Sequence, residues 1–228
     1  VYNYYIPQSE CMEFSEKHLD LEPYYLGLWI GDGTSASTAI TTVDEEIHSY
    51  IKKIADTHNL TITTQQEITH HISSGEGVGL PRGRNPILNK LKEYNLINNK
   101  HIPKVYLESS KEQRFELLRG LLDSDGTISK AGQISFTQSN ENLILQVREL
   151  VLSLGLSCKL DKIVTNYVLK NGELAESWVL IIYTGEDIFK LTRKRDRIVG
   201  DRKNNKFNRT HTSIVNIEKV KSGKATCI

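Results

Sequence analysis

Two nine-residue stretches, YLGLWIGDG (25–33) and LRGLLDSDG (118–126), repeat one pattern 93 residues apart, and nothing else in the chain limits its fold as much. Both are apolar, both carry small residues four positions apart (Gly27/Gly31 and Gly120/Ser124), and both stop at Asp-Gly (Asp32-Gly33 and Asp125-Gly126). At helical spacing the small residues fall on one face, so two such helices can meet almost backbone to backbone. Each helix then delivers a carboxylate at its C-terminal end. That end carries partial negative charge, and two carboxylates brought together there repel unless a cation compensates. Oxygen donors alone suit a hard divalent ion such as Mg²⁺ rather than zinc. A single Asp-Gly would merely end a helix; two on a duplicated framework point to a shared site.

The intervening sequence supports a duplication. Pro23 suits a first helical turn, predicting a helix to Asp32, and Thr34–Thr42 alternates weakly, as a half-exposed strand would. Asp44 is placed to cap a helix to about Thr57 whose inner face is Ile47, Ile51, Ile54 and Ala55. Leu60–Ile72 is strand-like, Ser73–Arg84 a glycine-rich loop, and Pro86 opens a short helix to about Tyr94. The second pass has a helix ending at Asp125-Gly126, a strand pair over Ile128–Thr137, and a helix from cap Asn140 through Leu154. A hairpin follows over Leu156–Leu169 and Ser177–Tyr183 with an Asn171-Gly172 turn, then a last helix from Glu186 to about Arg195. The expected class is α/β of the α+β type.

The charge is uneven. The formal net charge of +1 sums residues 1–50, with nine acidic side chains against Lys17, and residues 190–209, with nine basic ones against Asp196 and Asp201. So dense a basic block suits phosphate contact. No apolar run is long enough to cross a bilayer, which predicts no membrane partner, and VYNYYIPQSE lacks the features of a secretory signal. Three scattered cysteines (Cys11, Cys158, Cys227) give no disulfide framework and suit a reducing, intracellular setting, with nuclear access needed in a eukaryote. His70-His71 has no Cys or third His nearby in sequence to complete a zinc site.

Three further blocks sharpen the reading: GRNPILNKLKEYNLINNKHIP (83–103), TGEDIFKL after the hairpin, and KNNKF in the basic block. Together with the doubled motif they resemble the LAGLIDADG homing endonucleases, most of all the endonuclease domain of the fungal vacuolar ATPase intein. The resemblance covers residues 23–210. It implies two pseudo-symmetric αββαββα repeats with saddle-shaped antiparallel sheets and an interface of Gly27, Gly31, Gly120 and Ser124. It implies a monomer that cleaves both strands of a long asymmetric DNA site. Asp32 and Asp125, with the backbone of Gly31 and Ser124, would bind Mg²⁺, with Mn²⁺ able to substitute. Lys100, just ahead of Ile102-Pro103, matches one catalytic lysine; Lys206 is the first choice for the other and Lys203 the alternative. Asp123 stands where the first copy has Ile30 and is left outside the catalytic set.

For DNA contact, strand positions Gln65, Gln66, Gln133, Gln138, Lys159 and Lys162 have side chains that reach base edges or phosphates, with a Thr-rich run at 61–64 beside them. Arg82 and Arg84 in the glycine-rich loop, and Arg193, Lys194, Arg195, Arg197, Arg202 and Lys203 in the basic block, are phosphate candidates. The expected organisation is a linker or splicing-domain remnant at 1–22, repeats at 23–110 and 111–210, and a second remnant at 211–228. Val1 and Ile228 lack the Cys or Ser start and His-Asn end of a self-splicing intein, so an endonuclease domain unable to splice is expected. The other reading is a DNA-binding or RNA-maturase protein that keeps the fold without cutting.

Overall fold

Each motif forms a helix for a local reason. In the computed structural model, which describes residues 4–74, 85–168, 172, 174–198, 211–214 and 216–219, a first strand β1 (Tyr5–Pro7) precedes helix α1 (Pro23–Asp32). Pro23 fixes the first turn, and the Gly33 N–H donates to the Trp29 carbonyl to close the last. The first repeat continues through β2 (Ile40–Thr41), α2 (Glu45–Thr57), β3 (Thr61–Gln65), β4 (Thr69–Ser73) and α3 (Pro86–Glu93). A one-turn helix α4 (Lys104–Leu107), which the sequence did not suggest, leads into α5 (Lys111–Ser124). There Ser110 and Gln113 form a capping box. The second repeat adds β5 (Gly126–Ile128), β6 (Ile134–Gln138), α6 (Glu141–Ser153), β7 (Ser157–Val168), β8 (Leu174–Tyr183) and α7 (Thr192–Arg195), followed by β9 (His211–Ser213).

The fold is α+β, with helices and two main antiparallel sheets, ordered β2-β4-β3 and β5-β6-β8-β7. Their registers correspond. Gly33 bridges Ile40 as Gly126 pairs with Phe136; Thr41 pairs with Thr69 as Thr137 pairs with Val179; Gln65 pairs with Thr69 as Asp161 pairs with Val179. The first strand of the first sheet is thus reduced to the single bridge at Gly33. One hydrophobic core runs through both repeats. β1 and β9 pair as a separate antiparallel ribbon, with Tyr5 opposite Ser213.

Two elements differ from expectation. Of Thr34–Thr42 only Ile40–Thr41 is strand, because residues 34–39 turn back on themselves: Thr34 N–H donates to the Ala39 carbonyl and the Trp29 indole to the Ser37 carbonyl, both at 2.8 Å. The expected helix from Glu186 shrinks to Thr192–Arg195. The Lys190 and Leu191 N–H groups donate to the Asp123 carboxylate (2.8 and 3.2 Å), and Arg119 takes the Asp187 carbonyl, so tertiary partners replace the helical ladder. Asp44 does occupy the N-cap of α2, but its side chain makes no capping bond. Asn140, by contrast, caps α6 through the Leu143 N–H.

Candidate active site

Helices α1 and α5 touch through glycine. A methyl group built on Gly27 would lie 2.7 Å from the Leu121 nitrogen and 2.9 Å from the Gly120 Cα; one on Gly120 would lie 2.9 Å from the Leu28 nitrogen. One turn further on, Gly31 faces the Ser124 side chain with no room for a Cβ of its own. Gly27, Gly31, Gly120 and Ser124 thus lie where α1 and α5 meet, and the close approach brings Asp32 and Asp125 together at the ends of the two helices.

Their electrostatics reflect this. Burial first, then the neighbouring Asp125 carboxylate, pushes Asp32 up to about 6, against the pull of Lys194 and Lys100. Burial likewise raises Asp125, again opposed by Lys100 and Lys194. Two carboxylates that resist ionising side by side, beside the Gly31 and Ser124 backbone carbonyls, form an all-oxygen donor set that a hard divalent cation fits. No group of three or more His, Cys, Asp or Glu suited to a metal occurs among the described residues, so water and a ligand's oxygens would complete the coordination.

Lys100 stands at this point. Its Nζ donates to the Gly31 carbonyl at 2.9 Å and lies 5.6 Å from the centre of the Trp29 ring. Desolvation lowers its pKa, while Asp125 and Asp32 pull the other way. Its loop is held on both sides: Asn98 N–H donates to the Ser35 carbonyl, and the Gln146 amide of α6 both accepts from the Ile102 N–H (2.9 Å) and donates to the Ile102 carbonyl (3.2 Å). Gln146 carried no sequence signal, because its partner lies 44 residues away.

Lys194 must be reassigned. The sequence places it among the DNA contacts, but it is only 4% exposed and its three Nζ protons go to the carbonyls of Leu122, Asp123 and Gly126 (each 2.7 Å), one of them shared with the Ser124 carbonyl at 3.4 Å. Burial brings its pKa down to about 8. It follows Asp125 by 69 residues, as Lys100 follows Asp32 by 68, and it binds the Ser124 carbonyl as Lys100 binds that of Gly31. Lys206 and Lys203 lie outside the described residues, as do Arg82, Arg84 and Arg202. Asp123, left out of the catalytic set, is a buried clamp whose Oδ2 accepts from the Tyr24 hydroxyl at 2.8 Å and from the Lys190 and Leu191 N–H groups.

Strand parity sorts the remaining candidates. Leu180 and Ile182 of β8 face α6, so the residues opposite them and those two positions along share that side. Gln138 and Lys162, both paired with Trp178, fall on this helix side rather than on the open face; Gln138 Oε1 also accepts the Ser139 N–H, and Lys162 pairs with Glu176 at 2.6 Å. Lys159 is on the open face, where it pairs with Asp161 at 2.7 Å. Gln65 is exposed on the open face of the first sheet, whereas Gln66 belongs to a turn and Gln133, also exposed, precedes β6 with its backbone bonded to Ser129. Arg193 makes a two-pronged pair with Asp44 (2.6 and 2.7 Å) that joins the repeats and engages its Nε and Nη2. Arg195 and Arg197 are exposed, Arg197 with a 3.4 Å bond to the Ile128 carbonyl. His70 and His71 project to opposite sheet faces, so they cannot chelate one ion; His70 is buried and stacks on His48 at 4.4 Å.

Comparison with known proteins places a defined class over the second repeat: residues 112–210 match the family described as LAGLIDADG-like domain. Among curated proteins, the chain is similar to the replicative DNA helicase DnaB of Mycobacterium intracellulare, at 33% identity over 193 residues. That match takes in 84% of this chain but only 29% of the helicase, so the chain spans under a third of its relative's length. Among solved structures it is similar to the homing endonuclease I-DmoI in complex with DNA and Mn (16% identity, TM-score 0.48, 79% of this chain and 94% of that one). It is similar to the same endonuclease with DNA and Ca (16% identity, TM-score 0.47, 84% of this chain and 93% of that one).

Proposed function

We propose that this chain is a LAGLIDADG-type site-specific endonuclease that hydrolyses both strands of a long, asymmetric duplex DNA site, working as a monomer with internal pseudo-two-fold symmetry. One observation carries the reading: glycine-packed helices hold Asp32 and Asp125 at a common point, and a lysine is hydrogen-bonded to the carbonyl just before each carboxylate. The family match over 112–210 supports it.

Phosphodiester hydrolysis requires an activated water, charge stabilisation on the phosphate and help for the leaving oxygen. Mg²⁺, with Mn²⁺ as a substitute, supplies Lewis acidity for these when bound. Asp32 and Asp125, with the Gly31 and Ser124 carbonyls, would hold the ion. Lys100, desolvated and next to both carboxylates, orients water or stabilises charge on the phosphate. Lys194, bonded to the carbonyl before Asp125, replaces Lys206 as the counterpart lysine in this reading.

The finer assignment is homing of an intein-type element. It is supported by the β1–β9 ribbon, which sets residues 5–7 beside 211–213 as an inserted module requires, and by alignment to a segment of a much longer protein. Residues 1–22 and 211–228 are then the linkers to the host or splicing portions.

The experiment incubates the chain with duplex DNA in which the coding sequences flanking it in its own gene are rejoined without it. Double-strand cleavage in Mg²⁺, absent in chelator and lost in Asp32→Asn and Asp125→Asn, is the expected result. Specific binding with no metal-dependent cut would instead favour a binding or maturase role. Ca²⁺ should permit binding without turnover.

A further inference from the structure

The corresponding registers of the two sheets place residues of unlike chemistry at equivalent positions. On the open face, the central strand of the first sheet carries Thr69 and His71 where that of the second carries Val179 and Ile181. In the second sheet a complete row crosses all four strands, Thr127–Ser135–Ile181–Lys159, and it starts two residues beyond Asp125. With strands about 4.8 Å apart, that row is about 14 Å wide. This suits the major groove, roughly 12 Å across, and puts Ile181 at its middle.

Polar groups frame the apolar pair. Thr127 and Ser135 exchange a 2.8 Å hydroxyl contact, Lys159 is paired with Asp161, and α6 packs on the opposite side of the sheet. Val179 and Ile181 are half-buried rather than sealed in the core. They can neither donate to guanine nor accept from cytosine, but they can bury the 5-methyl group of thymine.

We infer that the second sheet reads its half-site through thymine methyl groups at Val179 and Ile181, whereas the first sheet reads through hydroxyl, amide and imidazole groups. This rests on the DNA-cleavage reading. It makes specificity unequal between the halves: the first is read by hydrogen bonding, the second in part by apolar contact. Burial of one methyl group corresponds to about a four-fold change in affinity.

The test selects duplexes from a random-sequence library on the full chain in Ca²⁺, then replaces each thymine of the selected site by uracil, which removes only the methyl. The expected result is about a four-fold weaker Kd for thymines clustered in one half of the site and under two-fold elsewhere. In Val179→Thr/Ile181→His, which copies the residues at the equivalent positions, that sensitivity should vanish while binding persists. Uracil tolerance throughout the site, or sensitivity unchanged in the variant, would overturn the inference. The wild-type scan decides even if the variant fails to fold. Selection of no specific duplex would instead overturn the DNA reading beneath it.

Discussion

Lys100 donates its Nζ to the carbonyl of Gly31 at 2.9 Å, one residue before Asp32. Lys194 repeats the relationship at Ser124, before Asp125, but also binds three other carbonyls. The two lysines therefore hold the helix ends with unequal firmness. Lys194→Met leaves several buried carbonyls unpaired and should lower stability by about 3 kcal/mol. Lys100→Met gives up one bond in a more open setting and should lower it by about 1 kcal/mol. Urea unfolding of both variants checks the order; equal losses would show that the extra carbonyl bonds do not stabilise the fold.

The glycine contact between α1 and α5 sets the separation of the carboxylates. Gly120→Ala forces a methyl into the backbone of the facing helix and should cost about 3 kcal/mol, with a matching fall in Tm. Gly172→Ala is a useful contrast, since its φ of 86° opposes a side chain and none of the described residues lies within 4 Å. Its cost should be about 1 kcal/mol. Thermal melts of the two variants test the ranking.

The raised pKa of Asp32 predicts a pH dependence. In chelator, the folded protein keeps a proton on Asp32 between the ordinary carboxylate value of 3.8 and about 6, where the unfolded chain has lost it. Folding stability from this group therefore falls as pH rises through that window and stays low above it. Mg²⁺ should recover it above pH 6 and do little near pH 4. Melting curves with and without Mg²⁺ across this range should diverge only on the alkaline side, and Asp32→Asn should remove the divergence.

Arg193 and Asp44 join the repeats by an exposed ion pair, so their coupling is modest. A double-mutant cycle with Asp44→Asn and Arg193→Gln should give about 1 kcal/mol or less at pH 7. Arg193 holds the Asp44 carboxyl below its usual range, and the coupling should disappear as pH falls through that lowered value. Removal of Arg193 should leave the salt dependence of DNA binding unchanged, whereas loss of exposed Arg195 should reduce its slope by about one. A reduced slope for Arg193→Gln would return that residue to the phosphate contacts.

Local signals made most of the fold legible. The repeated motif, Pro23, Pro86, the Asn140 cap and the hairpin signals gave the order of elements, because each acts within a few residues. The last helix misled for the complementary reason. Glu186–Leu191 has helical spacing, but Asp123, more than sixty residues earlier, captures the amides that a helix would need.

Residue order alone dictates that two like helices exist, that each can approach another closely, and that each ends in a carboxylate. Glycine spacing and Asp-Gly are properties of the chain that survive any packing. Which charges gather at the site depends instead on how the chain packs. Lys194 and Arg193 are neighbours in one basic block, yet one is drawn into the core by the unpaired carbonyls at the end of α5 and the other is spent on Asp44. Which face of a strand is open was decided in the same way. Gln138 and Lys162 differ from Lys159 only in parity, and parity has meaning only once α6 covers one side of the sheet.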